Sequence, residues 1–265
     1  MQIFCLLLPI LCDNLNMITK TELDKLAANY ETSDFIKDDP VRFPNRFKNK
    51  EDIELAGFIA SLIAYGRRDV FIKKLEELFN IAQNEPLNFI KNFEPELLGR
   101  FNYRFGKSED FAQIFSILKE LYNKDGGLEE LFKYGYKNRV AENMFIPVTD
   151  YFYSRSEKNT GQGFYFMIPN PRKGGAMKRM CMFLRWMVRK GPVDFGIWDF
   201  MPASDLLIPL DVHVARISRE MGLLQRNAND FKAVIELTNN LKKFCPDDPI
   251  KYDFAMFGYG VNNKR

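Results

Sequence analysis

Two side chains in this 265-residue sequence stand where chemistry would need them. Asp211 follows Ile208-Pro209-Leu210 in LLIPLDVHVARISREMGL (206–223), and His213, the single histidine of the chain, lies two residues on. Lys178 follows the pair Gly174-Gly175 in NPRKGGAMKRMCMFLRWMVRK (170–190). A carboxylate can accept a proton or stabilise positive charge developing on carbon, and a neutral lysine amine can attack an electrophilic carbon. A glycine-rich approach to a helix start also exposes backbone N–H groups that can hold a phosphate. Each feature has a structural reading beside the chemical one. Asp211 is placed to cap a helix by accepting from the amides of His213 or Val214, with Gly222 ending that helix. His213 by itself reads as structural, and the glycine pair suits an ordinary turn.

Charge around these residues is uneven. The whole chain carries a net charge of only +3. Between Arg155 and Lys190, however, nine lysines and arginines face one acid, Glu157, a local excess of eight positive charges that would attract polyphosphate. Within 176–190, Met177, Met180, Cys181, Leu184, Met187 and Val188 recur at helical spacing as an apolar stripe. Lys178, Arg185 and Arg189 fall on another face, either an ordinary solvated one or a phosphate-binding one.

The elements that must hold these residues read as helices throughout. EDIELAGFIASLIAY (51–65) has apolar residues at 55, 58, 59, 62 and 63 and acids in its first turn. RRDVFIKKLEELFNIA follows Gly66, and Pro86 and Pro95 open shorter pieces. SEDFAQIFSILKELY (108–122) reads as a helix with Ser108 as N-cap, ending before Asp125-Gly126-Gly127. Residues 138–153 form a further candidate helix. Residues 156–176, with four glycines and two prolines, cannot be one regular helix. NDFKAVIELTNNLKKF and DPIKYDFAMFGYG close the chain as helices. No useful period-2 alternation occurs, so the expected fold class is all-α.

Hydrophobic content of 46% with 28% charged residues is that of a globular protein, with a high aromatic share of 14%. Cys5, Cys12, Cys181 and Cys245 form no CxxC pair and, with one histidine, no metal site, so no metal or cofactor is expected. Reduced thiols point to the cytoplasm. Residues 1–16 are too short an apolar run to span a bilayer and lack the features of a secretory signal. They are expected to be a poorly ordered extension ahead of a helical domain over 17–265.

Taken together, the Gly/Pro-rich turn, the lysine of the following helix and the Pro-x-Asp helix cap resemble the helix-hairpin-helix superfamily of DNA glycosylases. PLDVHVAR is similar to the corresponding segment of the archaeal 8-oxoguanine glycosylase branch. More narrowly, FLRWMVR, LIPLDVHVARISRE and DPIKYDFAMFGYG resemble a bacterial family of unknown function related to that branch, over roughly residues 20–260. The hairpin departs from the superfamily's Leu-Pro-Gly-Val-Gly form, and no iron–sulfur cysteines follow Asp211. A serine and a cysteine are usual in the narrower family where Gly175 and Ala176 stand, and a glutamine at Arg67.

The resemblance implies two helical lobes with a cleft between them. It implies a glycosylase and AP lyase acting on an oxidised purine of the 8-oxoguanine type, with Lys178 as nucleophile and Asp211 as its partner. Double-stranded DNA carrying a damaged base would be held by Arg67, Arg172, Lys173, Gly174, Gly175, Arg179, Arg185 and Arg189. Trp198, with Trp186, and His213 are candidates for a base pocket, and Arg67, Phe164 and Tyr165 for a wedge that fills the stack after base flipping. Trp198 and Trp186 also read simply as core aromatics. The expected partner is DNA, with no membrane, and the chain is expected to act as a monomer. The alternative is a noncatalytic nucleic-acid-binding module on the same scaffold.

Overall fold

The computed structural model describes residues 18–137, 140 and 143–262, the last two as backbone only. The expected N-terminal extension over 1–16 lies outside the described residues. The α-helices are α1 (Lys20–Tyr30), α2 (Ser33–Ile36), α3 (Lys50–Ile63), α4 (Arg68–Ile81), α5 (Pro86–Lys91), α6 (Ser108–Lys124) and α7 (Leu128–Gly135). They continue with α8 (Phe145–Ser154), α9 (Gln162–Met167), α10 (Lys178–Val188), α11 (Val212–Glu220), α12 (Phe231–Lys242) and α13 (Asp253–Asn262). Among the described residues there is no strand, only isolated bridges, so the class is all-α. No described helix is long and apolar enough to cross a membrane.

Local sequence explains most boundaries. Thr19 and Glu22 form a reciprocal capping box ahead of α1. Pro86 opens α5, and Pro95 opens a single 3-10 turn. Ser108 proves to be the first residue of α6 rather than its cap: Lys107 holds that position, and its backbone amide donates to Asp110 at 2.9 Å. Residues 156–176 are not one regular helix, yet they contain α9 and a 3-10 turn at Pro171–Lys173. The helix expected over 138–153 runs over Phe145–Ser154; residues 138, 139, 141 and 142 of that stretch lie outside the described residues.

Helices α3 and α10 form the centre and are buried nearly all round. Every residue from Ile53 to Ile63 and from Met180 to Val188 is buried. They can approach closely because α3 carries Gly57 at the crossing, where a Cβ would meet the Met187 side chain at 3.0 Å. Helix α13 packs on α1 and α11, and α5 on α6. Phe58, Phe132, Phe183 and Trp198 form a chain of ring contacts through the centre, with centroids 5.3–5.5 Å apart.

Arg185 and Arg189 correct the sequence expectation. Both are buried rather than presented to solvent. Arg185 forms a two-pronged pair with Asp194, 3.2 Å on each prong, and a further bond to Asp253 of α13. Arg189 reaches Asp194 at 2.9 Å, Asp248 at 2.9 Å and Glu31 just beyond the end of α1. A helical repeat shows that the two arginines share a face, but not that Asp194 folds back onto it and that Glu31, Asp248 and Asp253 reach it from distant parts of the chain.

Arg185→Met would leave the buried Asp253 without its guanidinium partner and Asp194 with Arg189 alone. Unfolding in urea should show a loss of about 3–5 kcal/mol. By contrast, Arg172→Ala, which breaks an exposed pair with Asp150, should cost less than ~1 kcal/mol. Equal effects would refute the distinction.

Candidate active site

One large cavity, of about 1200 Å³, opens between α10, the N-terminus of α11, α13, the α3–α4 turn and α9. Lys178 and Asp211, 33 residues apart in sequence, both line it. Gly175, Lys173, Arg67, Arg68, Arg179, His213 and Trp186 line it as well, with Asp39 and Asp253.

Lys178 arrives there because the chain reverses abruptly just before it. After the 3-10 turn, Gly174 sits at φ +72 and Met177 at φ +52, both left-handed, and Lys178 is the first residue of α10. The left-handed conformation is cheap at Gly174 and costly at Met177, whose side chain is buried. The turn is tied to the start of α12, since Phe231 donates its amide to the Gly174 carbonyl at 2.9 Å. Lys178 is half-buried, and among the described residues its amine has no ion pair or hydrogen bond.

Asp211 is the N-cap of α11. Its Oδ1 accepts from the amides of His213 at 2.8 Å and Val214 at 2.9 Å. The capping reading is therefore correct, and Gly222 ends the helix at φ +72. Capping occupies only one oxygen. Oδ2 has no hydrogen-bond partner among the described residues and the carboxyl lines the cavity. The same residue can cap and react.

Four further aspartates line the cavity, Asp38, Asp39, Asp69 and Asp253; two of them, Asp39 and Asp253, are buried, and neither was singled out from sequence. Asp253 is buried; burial, with the like charge of Asp211 adding, pushes it from 3.8 to about 6 despite the attraction of Arg185 and Lys178. Burial works against charge on Arg185 too, but Asp194 and Asp253 outweigh it and hold the guanidinium above its usual value. Asp39 caps a 3-10 turn through Val41 at 3.1 Å, and its burial raises it against the pull of that amide, Arg68, Lys178 and Arg185. The spacing DPIKYD gave the only hint of Asp253, as an acid opening a helix; nothing local marked Asp39.

The remaining candidates divide. His213 lines the cavity with its ring edge-on to Phe257. Arg179 lines it half-buried, donating to the carbonyls of Leu62 and Phe166 and lying over the rings of Tyr65 and Phe166; burial lowers its guanidinium to about 10. Arg67 is exposed and pairs with its neighbour Asp69 at 2.9 Å. Gly174 and Arg172 lie outside the lining, Arg172 against Asp150. Trp198 is not a pocket residue: it is buried and donates Nε1 to the buried Glu54 at 2.9 Å. Phe164 is fully buried and cannot serve as a wedge, whereas Tyr165 is 37% exposed at the rim. Trp186 is buried, with an edge on the cavity.

The described part of the chain is thus an all-helical protein with a lysine and a helix-capping aspartate on one cavity. Residues 39–262 match the family described as "Protein of unknown function (DUF2400)", and the chain belongs to that family. No curated protein and no solved structure matches it. Among the described residues, no cluster of histidine, cysteine and acidic side chains could hold a metal ion.

Asp253 makes stability depend on pH with a definite sign. Its native form keeps a proton up to about pH 6, while the unfolded carboxyl releases it near the ordinary value of 3.8. The native state therefore binds more protons between those values, and this group's contribution is full below them and lost as pH rises to about 6. Urea unfolding across that interval should show a decline in the wild type that Asp253→Asn reduces by about 2–3 kcal/mol. Parallel curves would refute it.

Proposed function

We propose that this chain is a DNA base-excision enzyme, a glycosylase with AP-lyase activity on an oxidised purine. In this reading the helices form two lobes of the helix-hairpin-helix glycosylase kind, and the turn before α10 is the remnant of the hairpin. The observation that carries it is that Lys178 and Asp211 line one cavity, with no partner among the described residues for the amine or for one carboxylate oxygen. A target nucleotide turned out of the duplex would place its C1′ between them. Asp211 takes a proton from the Lys178 ammonium; the neutral amine attacks C1′ as the bond to the base breaks, and the base departs with a proton. The resulting Schiff base allows elimination of the 3′ phosphate. The carboxylate also steadies the positive charge that builds on the sugar. Gly175 and Lys173 border the same opening and suit a phosphate of the flipped nucleotide. The enzyme would act as a monomer in the cytoplasm.

One observation favours the noncatalytic alternative. Asp211 has a complete structural reason to be present as the cap of α11, which a binding module on the same scaffold would retain.

Borohydride trapping separates the two. Duplex carrying 8-oxoguanine or an abasic site should give a covalent adduct with the wild type and none with Lys178→Gln. Asp211→Asn should still bind and should keep its fold, because asparagine caps helices as well as aspartate does. Its turnover should fall roughly 100-fold or more. No adduct and no base release across a panel of lesions would leave the binding module.

A further inference from the structure

The cavity continues at its rim into an aromatic surface that the proposed chemistry does not use. Phe105 is 56% exposed, Phe166 38% and Tyr165 37%. Phe105 and Phe166 have ring centroids 4.9 Å apart, and both rings pack on Tyr65, at 6.4 and 4.7 Å. Tyr65, Tyr165 and Phe166 belong to the cavity lining, so the rings lead outward from its mouth.

This surface is built, not incidental. Phe105 stands at the tip of a tight turn in which Tyr103 and Gly106 exchange both backbone hydrogen bonds at 2.9 Å. Arg104, in that turn, is held at φ +51, a costly conformation for a side chain of its kind. Its guanidinium lies against Gly66, where a Cβ would come within 2.3 Å of it. The turn is pressed onto α9 at Gly163, where a Cβ would meet the Phe105 carbonyl at 2.3 Å. Arg104 lies 5.8 Å from the Tyr65 ring and 5.6 Å from that of Phe105; Arg179 is 4.7 Å from the Phe166 ring. Neither arginine has a carboxylate partner among the described residues.

The basic stretch offers less to a duplex backbone than its composition implies. Of its nine cations, Arg185 and Arg189 are buried, Arg172 pairs with Asp150, and Arg155 with Glu120 and Asp125. Exposed rings beside guanidinium groups that no described carboxylate neutralises suit unstacked bases on a phosphate chain better than they suit a closed helix.

We propose that the Tyr65–Phe105–Phe166 surface, with Arg104 and Arg179, is a stacking shelf for unpaired bases flanking the nucleotide in the cavity. The favoured substrate is then single-stranded or gapped DNA. This rests on the DNA-directed reading above and adds the state of the strand. Anisotropy at fixed physiological salt with a 12-nucleotide DNA strand, the same strand made wholly abasic, its RNA counterpart and a blunt duplex tests it. The base-bearing DNA strand should bind tightest. Phe105→Ala and Phe166→Ala should each weaken it roughly 5- to 100-fold and leave the abasic strand unchanged. Phe105 is exposed enough that its variant keeps the fold, and Arg104→Ala gives a second, smaller loss.

Equal binding of abasic and base-bearing strands, preference for the blunt duplex, tighter binding of RNA, or unaltered binding by the phenylalanine variants would overturn the shelf. Adduct formation tests the chemistry separately. Trapping with no effect of Phe105→Ala or Phe166→Ala removes the shelf and keeps the enzyme. Stacking losses without any adduct keep the shelf and remove the enzyme.

Discussion

The buried ion network around α10 is the interaction on which the cavity depends. Arg185 and Arg189 lie on one face of that helix, four residues apart, and draw in Glu31, Asp194, Asp248 and Asp253 from different segments. Taking a guanidinium out of water is costly unless every donor is met, and here the donors are met by carboxylates. Because those acids come from the end of α1, the segment just after α10, the loop after α12 and the start of α13, correct pairing is possible only when these elements are assembled. The same network fixes the far end of the helix whose first residue is Lys178. Orientation of the amine therefore depends on a network that reaches from the cavity wall, at Arg185 and Asp253, out to Glu31 and Asp248.

The helices were legible because burial on one face imposes a period of 3.6, and capping residues and prolines mark several ends. α10 and α11 come out close to the expected spans, as does the cap at Asp211. Side-chain roles were less legible. Arg185 and Arg189 read as a cationic face because their compensating acids lie as much as 158 positions away. Trp198 could as well have lined a pocket as filled a core, and only the buried Glu54 decides it by accepting from the indole. Asp39 and Asp253 were missed for a related reason: packing brings each to the cavity, and the DPIKYD spacing marked Asp253 only as part of a helix.

The convergence of Lys178 and Asp211 lies between these cases. Both stand at helix starts, and a helix start is where backbone amides point outward and where the chain turns sharply. Two helices whose N-termini face one hollow bring together whatever occupies those positions. Sequence shows the two helix starts with good definition. The packing of α10 against α3, and of α11 against α13, decides that they face the same way.

That packing also changes the electrostatic character of the hollow. The local excess of positive charge over 155–190 suggests a cationic surface, yet the hollow is mixed: its cations include Arg67, Arg68, Lys173, Lys178 and Arg179, and Asp38, Asp39, Asp69, Asp211 and Asp253 stand against them. The ion network holds four carboxylates to two guanidinium groups, and Glu31 and Asp248 sit nearer solvent than Asp194, which can spread their charge into water. Asp253, buried at the border of the hollow, is raised chiefly by that burial, with the like charge of Asp211 adding and Arg185 opposing. A proton on Asp253 relieves that repulsion. Asp253, Asp211 and Lys178 thus border one hollow, and the interplay of burial, like charge and opposite charge there is set by how α10, α11 and α13 pack.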